Sequence, residues 1–210
     1  TEKVTKAEAT QRMGRAGRTN TGVCYKLWTK GEEGGLTPFP EPEILISDLS
    51  PLAMELAAWG VNNPENLPFL THPKSLDFQT AQELLKNLGA INDKGNITEL
   101  GQKISREPTH PRLARILIAG GLDANLVVAL IESKDILGPN APIDFKLRMD
   151  AMKNSISFEN DYPYTINKKA SSNVLKLSKR LHSKGQLELS YSQMAAIAYP
   201  DRIGLSRNQN

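Results

Sequence analysis

Apolar residues recur along most of this chain at helical spacing, and the pattern is clearest over residues 76–88. There Ala81, Leu84, Leu85 and Leu88 fall at i, i+3, i+4 and i+7, the stripe of an amphipathic helix, and Gly89 is placed to end it. The same spacing in Leu49, Leu52, Ala53 and Leu56 predicts a helix capped by Ser50, with Pro51 at its first position and Gly60 as its stop. Ala90-Ile91 and Ile97 flank the turn-forming run Asn92 to Asn96, which reads as a short hairpin, and Thr98-Glu99-Leu100 opens another helix. Pro111 begins a helix containing Leu113, Ile116 and Leu117, closed by Gly120-Gly121. Leu126, Val127, Leu130 and Ile131 stripe the next one, and Gly138-Pro139 ends that region. Two more helices are expected over 143–155 and 169–184, joined by the aromatic loop Tyr162-Pro163-Tyr164, and a last one over 190–199. The chain is therefore expected to be mainly α, with successive helices packing as a bundle.

The first forty residues differ. Lys6 to Met13 holds good helix formers and no proline, whereas Gly22-Val23-Cys24-Tyr25-Lys26-Leu27-Trp28 is rich in strand formers. One strand cannot make a sheet, so this piece is expected to belong to a larger α/β unit. Lys30 to Pro42 contains three glycines and three prolines and reads as a linker to a new domain, with a short helix starting at Glu41-Pro42-Glu43-Ile44.

The totals narrow the picture modestly. The chain has 210 residues, 39% hydrophobic and 23% charged, enough for one or two domains with real cores. A formal charge of +3 is compatible with nucleic acid without arguing for it. No apolar run reaches the ~18 residues of a membrane helix. The single Cys24 sits in the predicted strand, as a small core residue would, and suits a reducing cytoplasm. The histidines show no metal-ligand spacing.

The densest candidate chemistry is Gln11-Arg12-Met13-Gly14-Arg15-Ala16-Gly17-Arg18. On a helix, positions three apart lie on nearly one face, so the three arginines can start from neighbouring points. Guanidinium is always charged and forks onto two oxygens, which suits phosphate. Arg/Gly composition also describes disordered nucleic-acid-binding tails, but a cluster between a predicted helix and a predicted strand belongs to a folded domain. A second basic stretch, Lys168, Lys169, Lys176, Lys179, Arg180 and Lys184, has no acidic residue between Thr165 and Gln186. It reads either as a solvated helix face or as a phosphate-binding surface. Arg112 and Arg115, one turn apart, are open to backbone contacts, capping or ion pairs.

Helix, helix and small hairpin is the order of a winged helix. In many regulators the second helix of that unit reads DNA. The polar side of residues 76–88 carries Asp77, Gln79, Gln82, Glu83, Lys86 and Asn87, which is no arginine-rich recognition surface, so a structural role is favoured.

Gln-Arg-x-Gly-Arg-Ala-Gly-Arg resembles motif VI of superfamily 2 helicases, in the form of the DEAH-box/RHA group, and Gly22 to Trp28 matches how that group leaves the motif. Leu52-Ala53-Met54-Glu55-Leu56-Ala57-Ala58-Trp59-Gly60, His110-Pro111-Arg112-Leu113-Ala114-Arg115 and Ala198-Tyr199-Pro200-Asp201-Arg202-Ile203 resemble bacterial members in the same order. Thr21 departs from the proline frequent there. The resemblance implies the end of a second RecA-like α/β domain over 1–35, a winged helix over 36–100, a ratchet-like (HA2) helical bundle over 101–190, and the start of a further region over 191–210. It implies that Arg15 and Arg18 act catalytically as fingers on the γ-phosphate of ATP, that Gln11 senses the γ-phosphate and attacking water, and that Arg12 braces the motif through an intradomain ion pair. The implied partners are ATP with Mg²⁺ in the intact protein and single-stranded RNA or DNA, with missing RecA-like domains supplied by the same protein and no membrane. The chain has no Gly-Lys pair for a phosphate loop and no Asp-Glu-x-His, so by itself it is expected to bind neither ATP nor Mg²⁺ and to hydrolyse nothing. The alternative is a non-enzymatic winged-helix nucleic-acid-binding or adaptor module.

Overall fold

The stripe at 76–88 forms a helix of 13 residues, Ser75–Asn87, that buries Phe78, Ala81, Leu84 and Leu85. Leu88 is buried at its end, and Gly89 comes next at φ 73°, a left-handed conformation that glycine adopts without a Cβ penalty. It is the fourth α-helix of a computed structural model that describes residues 3–121 and 123–204. The residues fall into two units. The first is drawn from Thr1–Ser47 with Phe69–Pro73, and the second from Asp48–Pro68 with Lys74–Asn210.

In the first unit, α1 (Lys6–Gly14) is succeeded by an extended stretch and then by α2 (Lys30–Gly34). The stretch expected as a strand joins no β-ladder among the described residues, although Lys26 pairs with Glu33, and Val23, Tyr25 and Leu27 are 74%, 84% and 94% exposed. A strand needs a neighbour for its backbone groups, and none of the described residues supplies one here. Cys24 is exposed as well, not a core residue, for the same reason. The expected linker at 30–42 contains a helix because Thr29 and Glu32 form a capping box around its start, Thr29 Oγ1 accepting from Glu32 N at 3.2 Å. Glu43–Leu45 makes one 3₁₀ turn.

The second unit begins with α3 (Ser50–Ala58), which packs on α4 (Ser75–Asn87). Its start is capped differently from the expectation: Asp48 Oδ1 accepts from Ser50 N at 2.7 Å, while Ser50 itself is buried. The hairpin forms as one antiparallel bridge between Ile91 and Ile97. Thr98 then caps α5 (Glu99–Ile104). Leu56, Leu85, Ala90 and Ile104 are almost wholly buried in this part.

The helical bundle comes next: α6 (Pro111–Ala119), α7 (Ala124–Glu132), α8 (Phe145–Lys153), α9 (Ser155–Asp161), α10 (Lys168–Ser178) and α11 (Tyr191–Ala198). Its core includes Ile116, Leu117, Val128, Met149, Val174 and Met194. The stripe of α7 is turned from the expected one. Ala124, Val127, Val128 and Ala129 are buried, while Ile131 is 37% exposed, because α7 meets both α6 and α10 and is covered on a wider arc. The helix expected over 169–184 ends at Ser178, and the chain then runs extended across the end of α6. Lys184 N donates to Leu117 O at 2.9 Å there. The crossing is made by two glycines: a Cβ on Gly185 would lie 2.0 Å from Ala119 C and O, and one on Gly120 would lie 2.3 Å from Gly185 C.

Candidate functional site

The arginine stretch is held by the way α1 begins. Thr5 Oγ1 accepts from Glu8 N at 3.2 Å, and Glu8 Oε2 accepts from Thr5 N at 2.9 Å. The hydrogen bond from the Thr5 backbone is the main cause that holds the Glu8 carboxyl below its ordinary pKa. The next two free N–H groups are also satisfied, Lys6 N donating to Thr37 O at 2.9 Å and Ala7 N to Pro38 O at 3.0 Å. A helix pinned at its start projects its end from a fixed base. Gln11 and Arg12 lie in its last turns, Arg15 is its C-cap, and Arg18 lies in the bend beyond. The three arginines thus do not share one continuous helical face: Arg12 and Arg15 do, and Arg18 is brought in by the turn.

All four side chains are exposed. None of the arginines joins an ion pair with a described residue; Arg12 lies one turn after Glu8 and adds to the lowering of its pKa. Gly14 and Gly17 face open space, whereas a Cβ on Gly22 would lie 1.8 Å from Ala16 O, so the chain closes the arginine turn against its own backbone. No group of three or more His, Cys, Asp or Glu placed to hold a metal ion occurs among the described residues.

The other basic residues divide. Lys168, Lys169, Lys176, Lys179 and Arg180 project from α10 and its end, all exposed. Lys184 is paired with Glu107, whose side chain is 6% exposed. Arg112 is a clamp: Nη1 and Nη2 donate to the two oxygens of Asp201 at 2.5 and 2.8 Å, and Nη1 also donates to Ala198 O at 3.0 Å. Its guanidinium lies 5.0 Å from the Tyr199 ring centre, and that of Arg202 lies 5.2 Å from the same ring. This joins the His110-Pro111-Arg112 block to the Tyr199-Pro200-Asp201-Arg202 block. The Asp201 carboxyl is held low chiefly by the hydrogen bond from Arg112. His110 adds a second tie: Nδ1 accepts from Arg112 N at 3.2 Å, leaving Nε2 to donate to Asp48 Oδ2 at 3.2 Å. Nothing local in the sequence could have found pairs 62 and 89 residues apart.

Comparison with known proteins agrees with this architecture. Residues 81–106, spanning most of α4, the hairpin and α5, match the model of the helicase associated domain (HA2), winged-helix. That stretch is therefore similar to the winged-helix part of helicase-associated domains. HrpB, the ATP-dependent RNA helicase of Escherichia coli (strain K12), is 36% identical over 143 residues, 66% of this chain and 18% of that protein. The pre-mRNA-splicing factor ATP-dependent RNA helicase prp22 of Schizosaccharomyces pombe is 38% identical over 116 residues, 55% of this chain and 10% of its own. A crystal structure of the E. coli DEAH/RHA helicase HrpB matches 99% of this chain with a TM-score of 0.62 at 30% identity. In sequence and fold the chain is HrpB-like. It spans only 10% and 18% of these two curated relatives, and 25% of the solved HrpB chain.

Proposed function

We propose that this chain supplies the arginine fingers and part of the nucleic-acid path of an ATP-dependent RNA or DNA helicase. The observation that carries the reading is the state of Arg15 and Arg18: exposed, joined to no acid among the described residues, and set at the end of a helix pinned by a capping box. In that reading ATP is bound by a RecA-like domain outside this chain, and the arginines reach its γ-phosphate across a domain cleft. Arg15 and Arg18 donate to phosphate oxygens as negative charge builds up during transfer, an interaction worth about 10³–10⁵ in rate where enzymes use it. Gln11 senses the γ-phosphate and the attacking water, and Arg12 holds the motif in place through an ion pair within the intact RecA-like domain. The chain itself turns over no ATP. Residues 1–35 are the tail of the RecA-like domain, 36–100 the winged helix, and 101–190 a ratchet-like bundle beside the single strand. Residues 191–210 begin a further region, of which 205–210 lie outside the described residues. Cleft closure engages the fingers, and reopening shifts the strand along the bundle. The protein works in the cytoplasm.

The test is nucleic-acid-stimulated ATP hydrolysis by the intact protein with and without Arg15→Ala. Turnover is expected to fall at least about 100-fold with little change in ATP binding, the signature of an interaction made only in the transition state. Equal turnover in parent and variant would refute the finger role, and absence of turnover in the parent would favour an adaptor.

A further inference from the structure

Helix α10 opens with charges set against its own dipole. Lys168 and Lys169 occupy its first turn, where no acidic residue stands, and positive charge there opposes the partial positive charge of the helix N-terminus. Lys176, Lys179 and Arg180 come after them, and no carboxylate occurs between Thr165 and Gln186. All five side chains are exposed, and none forms an ion pair with a described residue. A helix face that merely meets water gains from mixed signs at i and i+4. This one has a single sign.

The placement is also one-sided and regular. At 3.6 residues per turn, the five cations and the exposed Ser172 and Asn173 fall within an arc of about 140°. The buried Val174 and Ser178 lie outside that arc, and α10 packs on α7. Along the axis the polar groups come at 168–169, 172–173, 176 and 179–180, a step of about four residues or ~6 Å of rise. That step is comparable to the distance between successive phosphates on an extended strand. No aromatic residue lies on the arc, so nothing there can stack on a base.

We infer that this face of α10 is a phosphate rail for a single strand, holding about three or four successive phosphates without reading the bases. The inference rests on the proposed function, in which nucleic acid is the partner. Lys168 and Lys169 give up some helix stability at this site in exchange for binding. Lys184, tied to Glu107, is outside it.

The experiment is fluorescence anisotropy of the intact protein with labelled 12-nucleotide oligo(U), oligo(dT) and a 12-base-pair duplex over a range of salt, paired with thermal melts. Lys168→Glu/Lys169→Glu is expected to weaken single-strand binding at least about 10-fold at physiological salt and to flatten the log–log salt slope by about 0.7 for each phosphate no longer neutralised. The same variant should melt about 1–3 °C higher, because acid replaces base at a helix start. Lys176→Glu/Lys179→Glu should also lose binding but melt lower, since the helix end favours cations. Oligo(U) and oligo(dT) should bind alike within a few-fold, and the duplex more weakly. Unchanged single-strand affinity in both charge-reversed proteins, each shown folded by its melt, overturns the rail. Tighter duplex binding, or a strong preference between the homopolymers, overturns it too. Arg15→Ala turnover is a separate reading: its loss alongside normal binding by both variants would leave the helicase proposal standing and the rail refuted.

Discussion

Replacing Arg112 with alanine should destabilise the second unit by about 2 kcal/mol. The structure sets that scale. The Arg112 side chain is 11% exposed, and its guanidinium makes two charge-assisted hydrogen bonds to Asp201 at 2.5 and 2.8 Å, donates to Ala198 O at 3.0 Å, and lies over Tyr199. Hydrogen bonds to charged groups contribute roughly 1.5–3 kcal/mol each when shielded, and exposed pairs about 0.2–1. Asp201 is 37% exposed, so its share belongs nearer the lower figure, and the buried guanidinium end brings the sum to about 2. For a chain of this size that is a drop of about 4–8 °C in Tm, read by circular dichroism or urea titration. Arg112→Lys should recover less than half, because an ammonium cannot fork onto both oxygens. A double-mutant cycle with Asp201→Ala should give a coupling of about 1 kcal/mol. Loss of less than about 0.5 kcal/mol, or no coupling, would show that the clamp is a surface pair and the reasoning wrong.

Acid should release the same clamp. The Asp201 and Asp135 carboxyls are both held low, each mainly by a hydrogen bond from its arginine, Arg112 or Arg148. Their stabilisation is fully present above the unfolded carboxylate pKa of about 3.9 and is lost as pH falls through the lower folded values, so Tm should be level from neutral pH to about pH 5 and fall below about pH 4. Arg112→Ala should show a shallower acid fall; an equal fall would mean that other carboxylates dominate. Gly185→Ala should cost more than about 4 kcal/mol, since the Ala119 backbone 2.0 Å from the new Cβ cannot swing away. A soluble variant melting within a few degrees of the parent would disprove that. Thr5→Ala should speed amide exchange at Glu8 and Ala9 by removing the capping box, and exchange rates like the parent's would show that the bonds to Thr37 and Pro38 alone hold α1.

Helix positions are readable wherever local chemistry and burial agree. The stripe of α4 with Gly89, the proline opening α6 and the turn residues of the hairpin all lie where spacing puts them, because each depends on neighbours within a few residues. The break between Lys153 and Ser155 is not readable. There Asn154 ends α8 and caps α9, Oδ1 accepting from Ser157 N at 3.1 Å, and composition gives little warning of one asparagine in both roles. At the site, the residue types at 11–18 and their implied chemistry are plain in the sequence, as is the run of cations after Thr165. Which of those cations are uncommitted is not, since Lys184 meets Glu107 from 77 residues away.

Sequence alone therefore determined most of the helices, the mainly helical class and where the guanidinium and ammonium groups cluster, because helix periodicity, capping and residue chemistry are local properties. Only tertiary structure decided that Gly22 to Trp28 joins no β-ladder among the described residues, how far the bundle covers α7, and that Arg112 serves Asp201 and Ala198. Those outcomes depend on what lies across the space from a residue, and burial, ladder pairing and ion pairing are settled by partners distant in the chain.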